Sequence, residues 1–572
     1  MIKMFKKMSL WAVLGAVFFM IIQIISDLYL PTLTSNIIDK GVTQGDTEYI
    51  LQVGMMMIGV SLVGIVASVF NTLIATREGQ KLGRRLRSEI YEKVSYSSNQ
   101  GFDKVGTASL ITRTTNDVNQ VQMVTQLFLR LMINAPITLI GASFLAYMRD
   151  PELTKIFIYI IPSLIIIVGI VMYLAIPLFK GLQKKTDKLN LVFREGLTGV
   201  RVIRAFNQTG FEENRFDEAN KDYTQTAIKV NIIMSFLMPV ITLIISITNV
   251  SIIWYGGHNV ANGTLEVGNM MAFMTYAMQI LMSFMMMTMI FVLVPRAQAS
   301  AVRINEVLDM ENDISDPETP QQWSNQASLA FNKVLFRYKG AENPAINQVD
   351  FEMKKGETLA IIGGTGSGKS TLVNLIPRFF DIETGEISLN GQDVRKVPQK
   401  DLRDRIGFVP QKAVLFTGTI RSNLLYGYPD ATEEDMWKAL EIAQAKSFVE
   451  ELSDGLDSKV EQGGDNFSGG QKQRLCIARA LIKPADVYIF DDSFSALDFK
   501  TDALLRKKLK EEVTDAMIII VAQRISTVVE ANQIIVLDEG KMVGKGSHQE
   551  LKETNETYQE IMTSQLREEQ IA

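Results

Sequence analysis

Cysteine occurs once in the 572 residues, at Cys476, so no intramolecular disulfide can form. Cys476 sits in Leu475-Cys476-Ile477, an apolar helix face, and reads as a buried small hydrophobe. Histidine occurs twice, at His258 and His548, and neither has companions at metal-ligand spacing. With 15 prolines and 39 glycines the chain is not collagen-like, and with 47% hydrophobic residues it is not disordered. No stretch resembles a nucleic-acid-binding module, so no nucleic-acid partner is expected.

What is present divides unevenly. The formal net charge is 58 − 63 = −5. Residues 1–310 hold 27 Lys+Arg and 21 Asp+Glu, a net of +6. Residues 311–572 hold the other 31 and 42, a net of −11. The mean hydropathy of +0.11 therefore averages two unlike halves.

Spanning the hydrocarbon takes about 20 apolar residues. Stretches free of Asp, Glu, Lys and Arg are 8–26, 49–76, 131–148, 156–179, 230–257 and 267–295, six predicted spans. The first is not read as a cleaved signal peptide, because no small-residue cleavage site follows it. Segment 77–130 carries nine Lys/Arg and segment 180–229 carries ten, whereas the alternate loops 39–48, 149–155 and 258–266 carry three between them. Lys and Arg concentrate on the cytoplasmic side, so both termini are expected there. The two long inner loops have amphipathic patterns. Residues 91–124 and 189–216 read as helices that continue the spans into the cytosol.

Asp27 closes the first span, where an ionisable side chain is costly and usually faces a cavity or a partner. Two readings stay open: a cavity carboxylate that favours cationic ligands, or a group solvated at the outer interface. The sixth span is rich in methionine, including Met278, Met282 and Met286. Flexible thioethers suit a surface that accepts many apolar shapes, although packing explains any single one.

Gly363-Gly364-Thr365-Gly366-Ser367-Gly368-Lys369-Ser370 fits G-x-x-x-x-G-K-[ST]. An apolar strand, 358–362, precedes it and an apolar helix, opening at Thr371, follows. Glycines let backbone N–H groups close around phosphates, and the helix start adds its positive end. Lys369 is expected to reach the β/γ-phosphates, and Ser370 to hold Mg²⁺. Residues 487–490 form a second apolar strand ending in Asp491-Asp492, where Asp491 is placed to position Mg²⁺. Nucleotide is then expected at the carboxyl ends of a mostly parallel sheet.

With these motifs the whole chain resembles the ATP-binding cassette (ABC) transporters, specifically an exporter-type half-transporter. Asn466-Phe467-Ser468-Gly469-Gly470-Gln471 is similar to the family signature, with Phe467 where Leu is usual. The resemblance implies an α-helical six-span transmembrane domain, residues 1–318, and an α/β P-loop nucleotide-binding domain, residues 319–572. It implies ATP and Mg²⁺ as ligands, Tyr338 stacking on adenine, and Gln411 as the glutamine that senses Mg²⁺ and contacts the membrane domain. Ser495-Ala496-Leu497-Asp498 matches the D-loop. Coupling helices are expected near 101–109 and 206–216. The signature residues Ser468, Gly469, Gly470 and Gln471 serve the opposite site of a paired half-transporter.

Two positions depart from the family. A Glu usually follows the Mg²⁺-binding Asp and polarises the attacking water; here it is Asp492. A His usually stands where Gln523 does, and Gln carries neither proton nor positive charge at pH 7. The pattern is similar to the degenerate-site subunit of a bacterial heterodimeric multidrug exporter in the cell membrane. On that reading the chain binds Mg-ATP firmly, hydrolyses it poorly, and lends its signature to a second half-transporter subunit carrying Glu and His. The cargo is expected to be small, hydrophobic and often cationic. Open alternatives are a lipid or peptide exporter, and an ATP-gated channel or regulatory subunit.

Overall fold

The computed structural model describes residues 2–98, 101–102, 105–310, 312–324 and 327–571. They form two compact units, Met1–Ser95 with Thr107–Asp309, and Tyr96–Gly106 with Met310–Ala572.

The first unit is helical. Among the described residues six helices are long and apolar enough to cross a membrane: Leu10–Val42, Thr47–Ser95, Thr107–Arg149, Pro151–Thr198, Thr209–Ala261 and Val267–Met287. Each overlaps one charge-free stretch of the sequence. Several far exceed the bilayer. The 53 residues of Thr209–Ala261 span about 80 Å at 1.5 Å per residue, against about 30 Å of hydrocarbon.

The inner extensions are not the two unbroken helices that the amphipathic pattern suggests. The first stops at Ser95 and resumes at Thr107, directly after Gly106, which takes φ +77°. The second stops at Thr198, continues as Val200–Ala205, and turns at Asn207 with φ +52° before Thr209 starts the next helix. Positive φ at Gly106 and Asn207 turns the chain just before each restart, a break that hydrophobic periodicity alone does not report. Of the expected coupling segment 101–109, residues 103 and 104 lie outside the described residues.

The first and sixth helices pack closely. Met20, Ile24 and Leu28 are buried with Ala272, Phe273, Tyr276, Ala277 and Ile280. The buried Tyr276 hydroxyl donates to the Leu28 carbonyl at 3.0 Å and lies 2.9 Å from Thr32 Oγ1. A polar tip inside an apolar helix pair is thus satisfied locally.

The second unit is built on a ten-stranded sheet. Its centre is five parallel strands in the spatial order Ile406–Val409, Val487–Asp491, Met517–Val521, Thr358–Gly363 and Gln533–Asp538. The β-branched run Met-Ile-Ile-Ile-Val at 517–521 is buried throughout, as a parallel strand covered on both faces must be. Alternation along neighbouring strands splits the core in two. Leu359, Ile361, Ile519, Ile535 and Leu537 pack on one face. Ala360, Ile362, Ile518, Ile520, Ile534 and Val536 pack on the other. Lys541–Gly546 pairs antiparallel with Gln533–Asp538, and Ile346–Lys354, Ser328–Phe336, Thr384–Leu389 and Gln392–Asp393 complete the sheet. Val521 pairs with both Ile361 and Asp491, so the loops after the three central strands leave from one sheet edge.

Candidate functional site

At that edge the loop 364–368 joins the strand Thr358–Gly363 to the helix Lys369–Leu375. Gly366 and Gly368 take φ +84° and +97°, conformations an L side chain rarely adopts. A Cβ on Gly368 would lie 2.7 Å from the Ala345 carbonyl oxygen, and one on Gly363 would lie 2.1 Å from that of Leu537. Glycine at these two positions is therefore a steric requirement of the loop.

Lys369 Nζ donates to the carbonyls of Gly363 and Gly364, each at 2.8 Å, curling the side chain back over the loop. Ser370 Oγ donates to Asp491 Oδ1 at 2.9 Å, joining the helix start to the end of the neighbouring strand. Burial pushes the Lys369 ammonium below the usual lysine range, while the Asp492 and Asp491 carboxylates oppose the shift. Burial pushes the Asp491 carboxyl up, partly offset by the hydrogen bond from Ser370. A buried cation and a buried carboxylate each favour a ligand that restores the lost solvation.

The chain turns sharply after Asp491. Asp492 takes φ +49°, its N–H donates to the Val521 carbonyl at 3.1 Å, and its side chain leaves the strand. Gln523 Nε2 donates to Asp492 Oδ2 at 2.7 Å, and Gln411 Nε2 donates to the same oxygen at 3.3 Å. Two carboxamides from the ends of two other strands converge on one carboxylate.

These groups line a cavity of about 830 Å³. Its walls include Tyr338, Thr365, Gly366, Ser367, Gly368, Lys369, Ser370, Thr371, Gln411, Asp492 and Gln523. Tyr338 OH lies 3.0 Å from Thr371 Oγ1, and its ring stands edge-on to Phe336 and Phe380. The residues fit Mg-ATP. Ser367 Oγ is buried with no partner among the described residues, inside the glycine loop whose close backbone approach a Cβ would block. Ser370 and Asp491 offer the hard oxygen donors that Mg²⁺ prefers.

Other expected residues stand elsewhere. Ser468 caps the helix Gly469–Leu481: its N–H donates to Gln471 Oε1 at 2.9 Å, and its Oγ accepts from the Gln471 N–H at 3.3 Å. Asp498 caps Phe499–Glu512, accepting from the Thr501 N–H at 2.9 Å and Thr501 Oγ1 at 2.7 Å. Ser468, Gly469, Gly470, Gln471 and Asp498 do not line the nucleotide cavity. In the helical unit, Asp27, Met282 and Met286 line one cavity of about 510 Å³, which Met278 does not reach.

The cavity wall also holds Glu539, Gly540 and Lys541, a turn the sequence reading passed over. Its Gly540 N–H donates to the Ser367 carbonyl at 3.1 Å and bolts the phosphate loop from behind. The Glu-Gly pair after an apolar strand was the available signal. A second unforeseen contact is Gln565, whose Nε2 donates to the Gln523 carbonyl at 2.5 Å.

Comparison with known proteins agrees with this geometry. Residues 13–284 match the family described as ABC transporter transmembrane region, and residues 346–495 match the one described as ABC transporter. An uncharacterized ABC transporter ATP-binding protein of Mycobacterium tuberculosis is 39% identical over 96% of this chain and 95% of its own length. The chain belongs to the ABC transporter family. This ABC transporter is similar over 93% of both chains, at 32% identity, to a protein of Desulfotalea psychrophila named ATP-dependent lipid A-core flippase. Its fold is similar to a solved structure described as a bacterial Atm1-family ABC exporter with ATP bound, with a TM-score of 0.79, 24% identity, and 97% and 98% of the two chains covered. One six-span domain and one cassette make it an exporter-type half-transporter, a multi-pass membrane protein with a cytoplasmic ATPase domain.

Proposed function

We propose that this half-transporter is one subunit of a heterodimeric efflux pump in a bacterial cell membrane, exporting hydrophobic and often cationic drugs. Its own site binds Mg-ATP through Tyr338, the loop 363–371, Gln411 and Asp491. That site turns ATP over slowly, while Ser468, Gly469, Gly470 and Gln471 complete the competent site of a different subunit.

One observation carries the reading: Asp492 Oδ2 accepts from both Gln523 and Gln411. Hydrolysis needs a carboxylate aimed at water beside the γ-phosphate. A misplacement of about 1 Å can cost roughly 10²-fold. Asp492 is one methylene shorter than Glu and is engaged by two amide donors. Gln523 can donate a hydrogen bond and cannot take up a proton. Bound Mg²⁺ would supply charge neutralisation at the phosphates; the residues that would hold it, Ser370 and Asp491, are intact.

The test is the chain purified alone and with the half-transporter encoded beside it. The chain alone should show little ATP turnover, and Asp492→Glu with Gln523→His should raise turnover in the pair. Turnover at an ordinary exporter rate by the unpaired wild-type chain overturns the reading. A lipid cargo is the second reading, favoured by the relative named as a flippase. Uptake of a lipophilic cationic dye and of a fluorescent lipid into inside-out vesicles separates the two.

A further inference from the structure

The cavity in the helical unit carries opposite charges at its two ends. Asp27 lines it from the first helix and Arg130 from the third, both exposed to the cavity space. Among the described residues no hydrogen bond or ion pair reaches the Arg130 guanidinium. Arg130 sits in a one-turn π segment, Phe128–Met132, inside the candidate span Thr107–Arg149. Arg130 stands at the inner edge of the charge-free stretch 131–148, where its side chain lines the cavity, and π turns recur at functional positions.

The helix contacts fix the separation. Asn71 Nδ2 donates to the Ala16 carbonyl at 2.8 Å and to the Leu129 carbonyl at 3.2 Å, so Ala16 and Leu129 lie at one level. Asp27 is 27 − 16 = 11 residues beyond Ala16, about 16 Å along the helix axis. A Cβ on Gly141, which is 141 − 130 = 11 residues beyond Arg130, would meet the Leu28 side chain at 2.6 Å, and gives the same spacing. Asp27 and Arg130 are thus too far apart to neutralise each other directly.

The chemistry around each end is complementary to a ligand. Gln279 Nε2 donates to the Asp27 carbonyl at 3.3 Å, while its buried Oε1 has no partner among the described residues. An unused amide acceptor and a carboxylate lining one cavity suit a ligand ammonium group. At the other end, the guanidinium fork of Arg130 suits a carboxylate or phosphate. Asn134, Thr138 and Gln23 line the cavity together with Met282 and Met286, so the wall is amphipathic rather than greasy.

We infer that this cavity takes a zwitterionic amphipath, with its anionic group on Arg130 and its ammonium on Asp27. The inference rests on the exporter reading above and narrows its cargo from cations to molecules carrying both charges, a long amino acid or an aminophosphate.

The experiment uses the full chain with its partner subunit in lipid nanodiscs, and three probes that share one skeleton: ω-aminododecanoate, dodecylamine and dodecanoate. The readout is the concentration giving half-maximal change in ATP hydrolysis, corrected with empty nanodiscs. Wild type should respond to ω-aminododecanoate at about tenfold lower concentration than to either singly charged probe, the worth of one charge-assisted hydrogen bond. Arg130→Gln should erase the advantage over dodecylamine, and Arg130→Lys should restore most of it. Equal wild-type responses to ω-aminododecanoate and dodecylamine overturn the inference without any variant, as does an undiminished gap in Arg130→Gln. Failure of the efflux reading looks different: no export of lipophilic cationic dye with the three-probe ranking intact. Dye export with no ranking overturns this inference alone.

Discussion

The carboxamide of Gln565 holds the chain on either side of Arg524: its Nε2 donates to the Gln523 carbonyl at 2.5 Å, and its Oε1 accepts from the Ile525 N–H at 2.8 Å. Gln565 lies on the helix Glu556–Ile571, and Gln523 donates from its side chain to Asp492. The C-terminal helix therefore helps hold Gln523, whose side chain engages the Asp492 carboxylate.

Replacing Gln565 by Ala removes both bonds without touching the nucleotide loop. Each such bond contributes about 1 kcal/mol net, so amides 523–528 should exchange with solvent roughly fivefold faster or more. The strand Met517–Val521 should keep its protection, because its ladder and burial are unchanged. Hydrogen–deuterium exchange on the purified chain reads this peptide by peptide. Unchanged exchange at 523–528 would mean that the short helix Ile525–Val528 holds the segment without Gln565.

Lys369→Ala should weaken nucleotide binding at the chain's own site. The side chain bridges two carbonyls in the free site, and a bound phosphate competes for the same ammonium. Charge-assisted contacts to phosphate are about twice as strong as neutral ones, so affinity for a fluorescent ATP analogue should fall by about tenfold or more. Ser370→Ala should weaken mainly the Mg²⁺-dependent part, since Ser370 bridges to Asp491. Equal losses with and without Mg²⁺ would argue against that division.

How far the site was legible depended on whether its partners were near in sequence. The loop 363–370 and its flanking strand and helix were readable because glycine spacing and hydrophobic runs are local signals. Six spans were readable for the same reason. The bond from Gln565 to Gln523 was not, because it joins residues 42 apart through a backbone carbonyl, which no side-chain pattern announces. Arg130 was hidden differently. In sequence it ends a basic inner segment and counts toward topology, and only the packing of four helices shows it lining a cavity. The breaks at Gly106 and Asn207 were missed because amphipathic periodicity continues across them; the left-handed backbone there is a local choice that periodicity does not report.

Cys476 should resist alkylation in the folded chain. It is buried, and burial pushes its thiol above the ordinary cysteine range, with Arg479 opposing the shift. The thiolate is the reactive form, so a raised pKa lowers its fraction at any given pH up to the shifted value. At pH 8 a maleimide should label the native protein slowly and the unfolded protein fast, and raising the pH should go on speeding native labelling where the rate for an exposed thiol is already levelling off. Rapid native labelling at pH 8 would place Cys476 in an accessible, opened state.

The pairing of Asp117 with Arg303 makes the last prediction. Asp117 is buried, ends the π turn Arg113–Asp117, and accepts from Ser300 Oγ and Arg303 Nε, each at 2.8 Å, as well as from Arg303 Nη2. Arg303 lies on the helix Val267–Leu308, which continues the sixth span, and is itself half-exposed. Its removal leaves a buried carboxylate held by one hydroxyl. A fully buried pair broken this way costs about 3–5 kcal/mol, and exposure of the guanidinium discounts that to roughly 1–3 kcal/mol. Arg303→Met should therefore lower the apparent thermal midpoint of the purified protein by several degrees. Adding Asp117→Asn removes the stranded charge, so the double variant should recover part of the loss. Recovery is the informative outcome, because it assigns the cost to the uncompensated carboxylate rather than to lost packing of the arginine stem. A double variant no more stable than Arg303→Met would mean that Arg303 contributes through its aliphatic stem and that Ser300 alone satisfies Asp117.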